Sequence, residues 1–175
     1  MKRLCNSLRT FSTTLAVNRK LDNLSQIARG VADSYSVELG GRLALDLADV
    51  PPVLVDGEEI ARVIQNLLLN AREAISPEGA ITLRTRIQGS QIELSVEDNG
   101  RGMTREFVEQ ELFLPFHTTK SDGLGIGLFQ TKKIVDAHAG TIRVESKAGK
   151  GTIVRIFFPV AQPAAVEKAG AKVAG

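Results

Sequence analysis

The sequence predicts an α+β fold, a two-layer α/β sandwich in which helices cover one face of a mixed, mostly antiparallel sheet. Helical periodicity and strand alternation occupy separate stretches, and the later strands form two adjacent pairs, at residues 80–88 with 91–98 and 141–146 with 152–159. Segregated helices and strand pairs are typical of one helical layer on one sheet. The 175 residues, 43% of them apolar, suit a single domain that buries a core without disulfides or a structural metal.

The chain begins with two helical patterns. Residues 1–15 and 24–35 each place apolar side chains on one helical stripe, and Gly40 with Gly41 ends the second pattern. The two stripes consist of Leu4, Leu8, Phe11 and Leu15, and of Leu24, Ile27, Ala28, Val31 and Tyr35.

Two short strands and a long helix follow. Residues 42–47 alternate as a strand does, two consecutive prolines turn the chain, and a second strand covers residues 53–55. Asp56 is suited to cap the next helix, with Glu59 three residues later to complete a capping box. This helix spans residues 58–75, and its apolar face consists of Ile60, Val63, Ile64, Leu67, Leu68, Ala71 and Ile75.

The first strand pair forms a hairpin that turns at Gly89. It is followed by a polar stretch at residues 99–122 and by a helix at about residues 124–139, and the second strand pair comes after this helix. A polar stretch of that length in a compact domain is typical of a lid or a binding loop. From residue 161 onward the sequence has no pattern, and residues 161–175 are predicted to be disordered.

Composition and charge argue against several classes of protein. The 22 basic and 20 acidic residues give a net charge of +2, and aromatic residues make up only 5%, which argues against a nucleic-acid-binding protein. One cysteine and two histidines argue against a disulfide framework and a zinc site. No apolar run approaches the roughly 20 residues needed to cross a bilayer. We therefore expect a cytoplasmic segment without membrane contact.

Two asparagines on the polar face of the helix at residues 58–75 suggest a metal site. Asn66 and Asn70 lie four residues apart, so their amides project from the same side of the helix. An ordinary solvated face is the alternative interpretation, but such a face favours Glu, Lys and Arg, because Asn forms helices weakly. Amide oxygens suit a magnesium ion whose charge is already balanced by phosphates.

A turn with an acidic residue follows the strand at residues 91–98. Asn99 and Gly100 are typical of a turn, which explains neither the second glycine, Gly102, nor the carboxylate of Asp98 at the mouth of an apolar strand. A carboxylate at this position can accept a hydrogen bond from an exocyclic amine such as that of adenine.

Three alternating glycines lead into the helix at residues 124–139. Gly123, Gly125 and Gly127 each cost about 1 kcal/mol relative to alanine in a helical turn, so they indicate a close approach to the backbone. Bare amides at a helix N-terminus bind anions, and Lys120 is placed to meet a phosphate. The spacing matches neither a Walker A loop nor a convincing dinucleotide-binding motif.

In this order and spacing, the motifs resemble the catalytic ATP-binding domain of sensor histidine kinases, within the superfamily of DNA gyrase, MutL and the heat-shock chaperone ATPases. The resemblance covers residues 21–159 and implies a Bergerat-type ATP-binding fold. Residues 66–70 look like the N box of that family and residues 98–102 like its first glycine box. Residues 113–116 look like the F box and residues 123–128 like the second glycine box.

The resemblance implies a role for each matching residue. Asn70 would hold magnesium with Asn66 beside it, and Asp98 would bind the adenine amine. The other implied nucleotide contacts are Gly100, Gly102, Met103, Lys120, Gly123, Gly125, Ile126, Gly127, Leu128 and Thr152. Residues 104–122 would form a lid over ATP, and the phenylalanines of the F box, Phe113 and Phe116, are interpreted as anchors for its closure.

The same resemblance implies a phosphoryl donor rather than an efficient ATPase. Hydrolysing relatives carry a glutamate at the position of Asn66, and an amide cannot take a proton from water. Glu73 stands where many sensor kinases have Lys or Arg, with Arg72 beside it. His138 is interpreted as a core or interface residue and His117 as a loop residue, so no catalytic histidine is assigned and the isolated chain should not phosphorylate itself.

We expect residues 1–20 to be the end of a dimerisation hairpin helix with its linker, and residues 21–160 to be the catalytic domain. The implied partners are the phosphoacceptor hairpin and a response regulator receiver domain, and the full-length protein could be tethered to a membrane. One alternative is an anti-sigma-factor serine kinase of the same superfamily, against which the helical stripe of residues 1–15 argues. The other is a nucleotide-sensing module without transfer activity.

Overall fold

The computed structural model describes residues 17–118 and 124–161, and within these ranges the predicted α+β sandwich is confirmed. The predictions for residues 1–15, for Lys120 and Gly123, and for residues 162–175 lie outside the described residues. The elements are β1 (Lys20–Asp22), α1 (Leu24–Leu39), β2 (Leu43–Leu47), β3 (Val53–Val55), α2 (Gly57–Ala74), β4 (Ile81–Gln88), β5 (Gln91–Asp98), α3 (Arg105–Gln110), α4 (Gly127–Ala137), β6 (Thr141–Lys147) and β7 (Gly151–Pro159).

The main sheet has five strands in the order β2-β4-β5-β7-β6. Strand β2 runs parallel to β4, and every other neighbouring pair is antiparallel, as the prediction of a mixed, mostly antiparallel sheet requires. The register sets Asp98, the last residue of β5, opposite Thr152 near the start of β7. Residues from two distant motifs therefore meet at one edge of the central strands.

The core lies between the helices and one face of this sheet. Leu24, Ile64 and Leu68 from the helices and Leu94 and Phe158 from the strands are fully buried. The other face carries cross-strand ion pairs, such as that between Arg84 Nε and Asp46 Oδ2 at 2.8 Å. Alternation of apolar and charged side chains along the strands thus defines the two layers. No helix in the described ranges has the length and apolarity needed to span a bilayer.

Helix α2 is capped as predicted, but the predicted capping box does not form. The Asp56 carboxylate accepts the N–H groups of Glu58 and Glu59 at 3.2 and 3.4 Å. The Asp56 N–H, which Glu59 would have to accept in a capping box, donates to Nε2 of His138 at 3.0 Å. The Glu59 carboxylate pairs with Arg62 instead, at 2.6 Å.

Two elements, β1 and α3, were not predicted from the sequence, and α4 was predicted to begin three residues too early. Strand β1 is only three residues long and pairs with β3 in a separate two-stranded sheet, so it carries no readable alternation. Helix α3 lies in the stretch predicted as a loop, with Thr104 Oγ1 accepting the Phe107 N–H. Helix α4 begins at Gly127 rather than residue 124, because Gly125 has a φ of +64°, which no α-helix accommodates.

Candidate functional site

A cavity of about 690 Å³ opens between α2, the ends of β5 and β7, α3 and the amino terminus of α4. Most of the residues singled out in the sequence line it. They are Asn66, Asn70, Asp98, Gly102, Met103, Gly125, Ile126, Gly127, Leu128 and Thr152. Gly100 is not among the lining residues, and Lys120 and Gly123 lie outside the described ranges.

Asp98 supplies a buried carboxyl group on the wall of the cavity. Its side chain is only 9% exposed, and its Oδ1 accepts the Gly100 N–H at 2.9 Å. Burial raises the pKa of the Asp98 carboxyl above its ordinary value, and hydrogen bonds from the backbone N–H groups of Gly100 and Thr152 offset this only in part. Gly100 therefore acts on the cavity through Asp98, whose orientation it fixes.

The loop after β5 is held tightly against the turn between β6 and β7. The Gly149 N–H donates to the Arg101 carbonyl at 2.7 Å. Gly102 has a φ of +61°, and a Cβ there would overlap the carbonyl oxygen of Lys147. Only glycine fits this backbone without strain. Gly102 therefore allows the two loops to pack closely, and it also lines the cavity.

Ser146 on β6 links this loop to β7. Its Oγ accepts the Met103 N–H at 2.9 Å, donates to the Gly151 carbonyl at 3.0 Å and lies 2.8 Å from Thr152 Oγ1. Among these residues, Met103 and Thr152 line the cavity. Ser146 could not be identified from the sequence, because an isolated serine in a strand carries no local signal.

On α2, Asn66 is held in place by helix α4. Its Nδ2 donates to Oγ1 of the buried Thr131 at 2.9 Å, which leaves the amide oxygen as its accepting group. That oxygen faces Gly127, where any Cβ would overlap it. Asn66 and Asn70 both line the cavity and are half-buried, as their spacing of one helical turn leads one to expect.

The N-cap residue of α4 supplies no side-chain cap to the helix. The N-cap residue is Ile126, which offers no hydrogen-bond acceptor to the first-turn N–H groups. Just before it, the Gly125 carbonyl accepts the Phe116 N–H at 3.0 Å, and a Cβ at Gly125 would lie 2.6 Å from the His117 carbonyl oxygen. The segment that precedes α4 thus packs backbone against backbone, and the positive end of the helix faces the cavity.

Apolar residues complete the lining, and neither Phe113 nor Phe116 of the F box is among them. Phe116, interpreted from sequence as an anchor, is 58% exposed and has a φ of +66°, whereas Phe107 of α3 and Leu112 line the cavity. His117 also lines it and pairs through Nδ1 with Glu111 Oε2 at 2.9 Å. Thr104, an N-cap residue ahead of Phe107, is the one sequence signal that could have identified α3.

The charged residues at the end of α2 point in different directions. Arg72 forms an ion pair with Glu38 of α1. Glu73, which stands where a basic residue was expected, lines the cavity. Within the described ranges, no three His, Cys, Asp or Glu side chains are grouped to hold a metal by themselves.

His138 is a core residue, as the sequence indicated. It is 2% exposed, its Nε2 accepts the Asp56 N–H, and its Nδ1 lies 2.7 Å from the Ile134 carbonyl oxygen. The ring meets Phe158 edge to face at a centroid distance of 6.4 Å. Both ring nitrogens are occupied, so this imidazole is not accessible to a phosphoryl group.

Comparison of the sequence with known proteins gives a family match and several named relatives. The family model described as histidine kinase-, DNA gyrase B- and HSP90-like ATPase matches residues 55–162. The sensor histidine kinase ZraS of Escherichia coli K12 is 32% identical over 154 residues, which cover 88% of this chain and 31% of ZraS. ZraS of Klebsiella oxytoca is 42% identical over 109 residues, covering 62% of this chain and 23% of that protein. The chain thus spans about a quarter to a third of these curated relatives.

Two solved structures share the fold of this chain. The catalytic domain of histidine kinase ThkA superposes with a TM-score of 0.72 at 27% identity, covering 82% of this chain and 96% of that domain. ThkA in complex with the response regulator protein TrrA superposes with a TM-score of 0.75 at 23% identity, covering 91% of this chain and 48% of that one. This chain therefore belongs to the family of histidine kinase-, DNA gyrase B- and HSP90-like ATPases, and it carries the catalytic ATP-binding domain of a sensor histidine kinase.

Proposed function

We propose that the chain binds Mg-ATP in this cavity and donates the γ-phosphoryl group to a histidine on a dimerisation hairpin that the sequence does not contain. One observation carries the proposal: the buried carboxyl group of Asp98 and the amino terminus of α4, whose N-cap residue is Ile126, open onto the same cavity. A hydrogen-bond acceptor for a purine amine and an anion site are therefore combined in one space.

The Asp98 end is assigned to adenine. A carboxylate accepts the hydrogens of an exocyclic amine and repels a carbonyl oxygen, so it favours adenine over guanine. Gly102, Met103 and Thr152 line the same part of the cavity and are assigned as further adenine contacts. The apolar side chains of Val96 and Val154 offer a surface for the purine ring.

The α4 end is assigned to the phosphates. First-turn amides and the helix dipole attract anions, and glycine at two of the positions leaves the backbone bare. The assigned residues are Gly125, Ile126, Gly127 and Leu128, joined by Gly123 and Lys120. Residues 104–122 are proposed to act as the lid over the bound nucleotide.

Asn70 and Asn66 are assigned to the metal. Neutral amide oxygens fit a magnesium ion that takes its other ligands from phosphates and water, and an all-carboxylate cage is not needed. When bound, the ion neutralises charge on the phosphates. The hydrogen bond from Thr131 fixes the Asn66 amide, which supports its assignment to this part of the cavity.

The protein contributes mainly position and charge in this reaction. A nitrogen of the acceptor imidazole forms the new P–N bond while the bond from the γ-phosphorus to ADP breaks, and ADP leaves with the electron pair. Asn66 cannot take a proton from water, because an amide group is not basic near pH 7. This favours transfer to the acceptor over hydrolysis.

In the full-length protein, residues 1–20 would lead from the hairpin into the catalytic domain of residues 21–160, with residues 161–175 as a tail. The phosphohistidine would then pass its phosphoryl group to a response regulator receiver domain, a role suggested by the complex of ThkA with TrrA. Because the reaction consumes ATP, we expect this segment to work in the cytoplasm, whether or not the whole protein is tethered to a membrane.

The first test is calorimetric titration of the chain with Mg-ATP, with Asp98→Asn as the matched variant. We expect the wild type to bind Mg-ATP and the affinity of the variant to be about tenfold to a hundredfold lower, because the variant loses a hydrogen bond to a charged group. If the folded Asp98→Asn variant binds Mg-ATP as tightly as the wild type, Asp98 does not bind adenine.

The second test uses ATP labelled at the γ-phosphate with a histidine-bearing hairpin or a serine-bearing anti-sigma antagonist. An acid-labile product on the hairpin supports the proposal. An acid-stable product on the antagonist would replace it with the serine-kinase alternative, and binding without any transfer would favour a nucleotide-sensing module.

A further inference from the structure

The hydroxyl pair of Ser146 and Thr152 lies beside the Asp98 end of the cavity, where it is fixed by backbone groups. Thr152 stands directly opposite Asp98 across the β5–β7 ladder, and it also stands opposite Ser146 across the β6–β7 ladder. Thr152 lines the cavity and Ser146 does not. Ser146 is therefore placed to act on the cavity through Thr152.

The hydrogen bonds of Ser146 determine which way the Thr152 hydroxyl points. A serine hydroxyl has one proton to donate and two lone pairs to accept with. We assign the proton to the Gly151 carbonyl, because that group can only accept, and one lone pair accepts a hydrogen bond from the Met103 N–H. The 2.8 Å contact with Thr152 Oγ1 can then form only if Thr152 donates its proton to Ser146.

This arrangement leaves Thr152 Oγ1 with lone pairs and no free proton. Toward the cavity the threonine can then only accept a hydrogen bond, as the Asp98 carboxylate beside it also does. A 6-amino purine meets two acceptors that match its N–H groups, whereas a 6-oxo purine turns its own oxygen toward them. A site whose polar groups can act only as hydrogen-bond acceptors discriminates strongly against an analogue that places an acceptor opposite them.

We propose that Ser146 is a positioning residue that fixes the Thr152 hydroxyl as a hydrogen-bond acceptor and so selects 6-amino over 6-oxo purine nucleotides. The inference rests on the proposed binding of ATP at the Asp98 end. It adds a residue that need not touch the nucleotide, and it assigns that residue to discrimination rather than to overall affinity.

The test compares the affinities for Mg-ATP and Mg-ITP, which differ at position 6 of the purine. In Ser146→Ala, Thr152 loses its acceptor and is free to turn its proton toward an oxo group. We expect the ratio of ATP to ITP affinity to fall about five- to tenfold, the effect of one hydrogen bond. Ser146→Thr keeps the hydroxyl and should retain the wild-type ratio, and thermal melting reports whether each variant is folded.

A double-mutant cycle separates this role from a merely structural one. Thr152→Val removes the hydroxyl at nearly constant shape and should lower the ratio by itself. Adding Ser146→Ala to that variant should then leave the ratio unchanged. If Ser146→Ala weakens ATP and ITP equally, Ser146 only braces the Met103 loop and the inference is wrong. If the folded wild type binds neither nucleotide, the proposed function fails and this inference with it.

Discussion

The amide oxygen of Asn66 lies directly against Gly127, in a space that any Cβ at this glycine would occupy. The contact joins helix α2, which carries both cavity asparagines, to the first turn of helix α4. In addition, a hydrogen bond from Asn66 Nδ2 to Thr131 Oγ1 joins the same two helices one turn further along α4. The residues assigned to the metal and those assigned to the phosphates are thus mechanically linked.

This contact predicts the effect of Gly127→Ala. The new methyl group must displace the Asn66 amide, so we expect Mg-ATP affinity to fall about tenfold or more while the protein stays folded. Gly30 in α1 is the control, because a Cβ there has nothing within 4 Å. Gly30→Ala should raise the free energy of unfolding by about 0.5–1 kcal/mol and leave affinity unchanged. Equal affinities of the wild type and Gly127→Ala would show that the Asn66 amide does not depend on this contact.

Asn70→Ala should uncouple nucleotide binding from magnesium. The wild type is expected to bind ATP more tightly in the presence of Mg²⁺ than with a chelator, and the variant is expected to bind equally under both conditions, because it has lost the assigned ligand. Titration of both proteins with ATP, with and without the ion, gives the answer. An unchanged magnesium effect in Asn70→Ala would mean that another group holds the metal.

The raised pKa of Asp98 predicts opposite effects of pH on stability and on binding. Because the fold favours the protonated carboxyl, the group contributes stability at low pH, and this contribution is lost as pH rises from the ordinary Asp value through the raised one. The adenine contact proposed for Asp98 needs the carboxylate, so ATP affinity should fall as pH is lowered into that same range. Calorimetric titration across acidic pH measures this effect.

Asp98→Asn provides the corresponding test of stability. At pH 7 its melting temperature should be no lower than that of the wild type, since the variant buries no charge. The difference in melting temperature between Asp98→Asn and the wild type should become smaller at acidic pH, where the wild-type carboxyl is protonated. A variant that is clearly less stable at pH 7 would show that the hydrogen bonds from Gly100 and Thr152 outweigh the burial of the charge.

His138→Ala should destabilise the fold by about 2–4 kcal/mol. The change removes a buried ring from its edge-to-face contact with Phe158 and leaves the Asp56 N–H without its acceptor. Chemical denaturation measures the free energy of unfolding. His117→Ala is the control, because that ring is exposed and its loss should change stability by less than about 0.5 kcal/mol. A small effect at His138 would contradict its place in the core.

The sequence was most informative where chemistry is local. Asp56 caps α2 because its side chain reaches the next N–H groups along the same chain, and the apolar stripe of α2 is buried as its period requires. The order of the motifs was enough to identify the family. No comparable local signal marks β1, whose three residues form a strand only because β3 lies alongside them.

Errors arose where a distant residue competes for a group. Glu59 could not complete a capping box, since His138, 82 positions away in sequence, takes the Asp56 N–H. Phe107 of α3 lines the cavity although no sequence motif included it. These outcomes depend on the packing of elements, which local sequence does not encode.

By itself, then, the sequence determined the α+β class, the helix that carries Asn66 and Asn70, and the kind of chemistry that each motif offers. Tertiary structure alone decided that Asp98 faces Thr152, that Ser146 stands behind Thr152, and that Gly127 makes room for Asn66. The physical reason is range: periodicity and capping act within a few residues, whereas strand register and the fit of one side chain against a distant glycine are fixed only when the whole core packs.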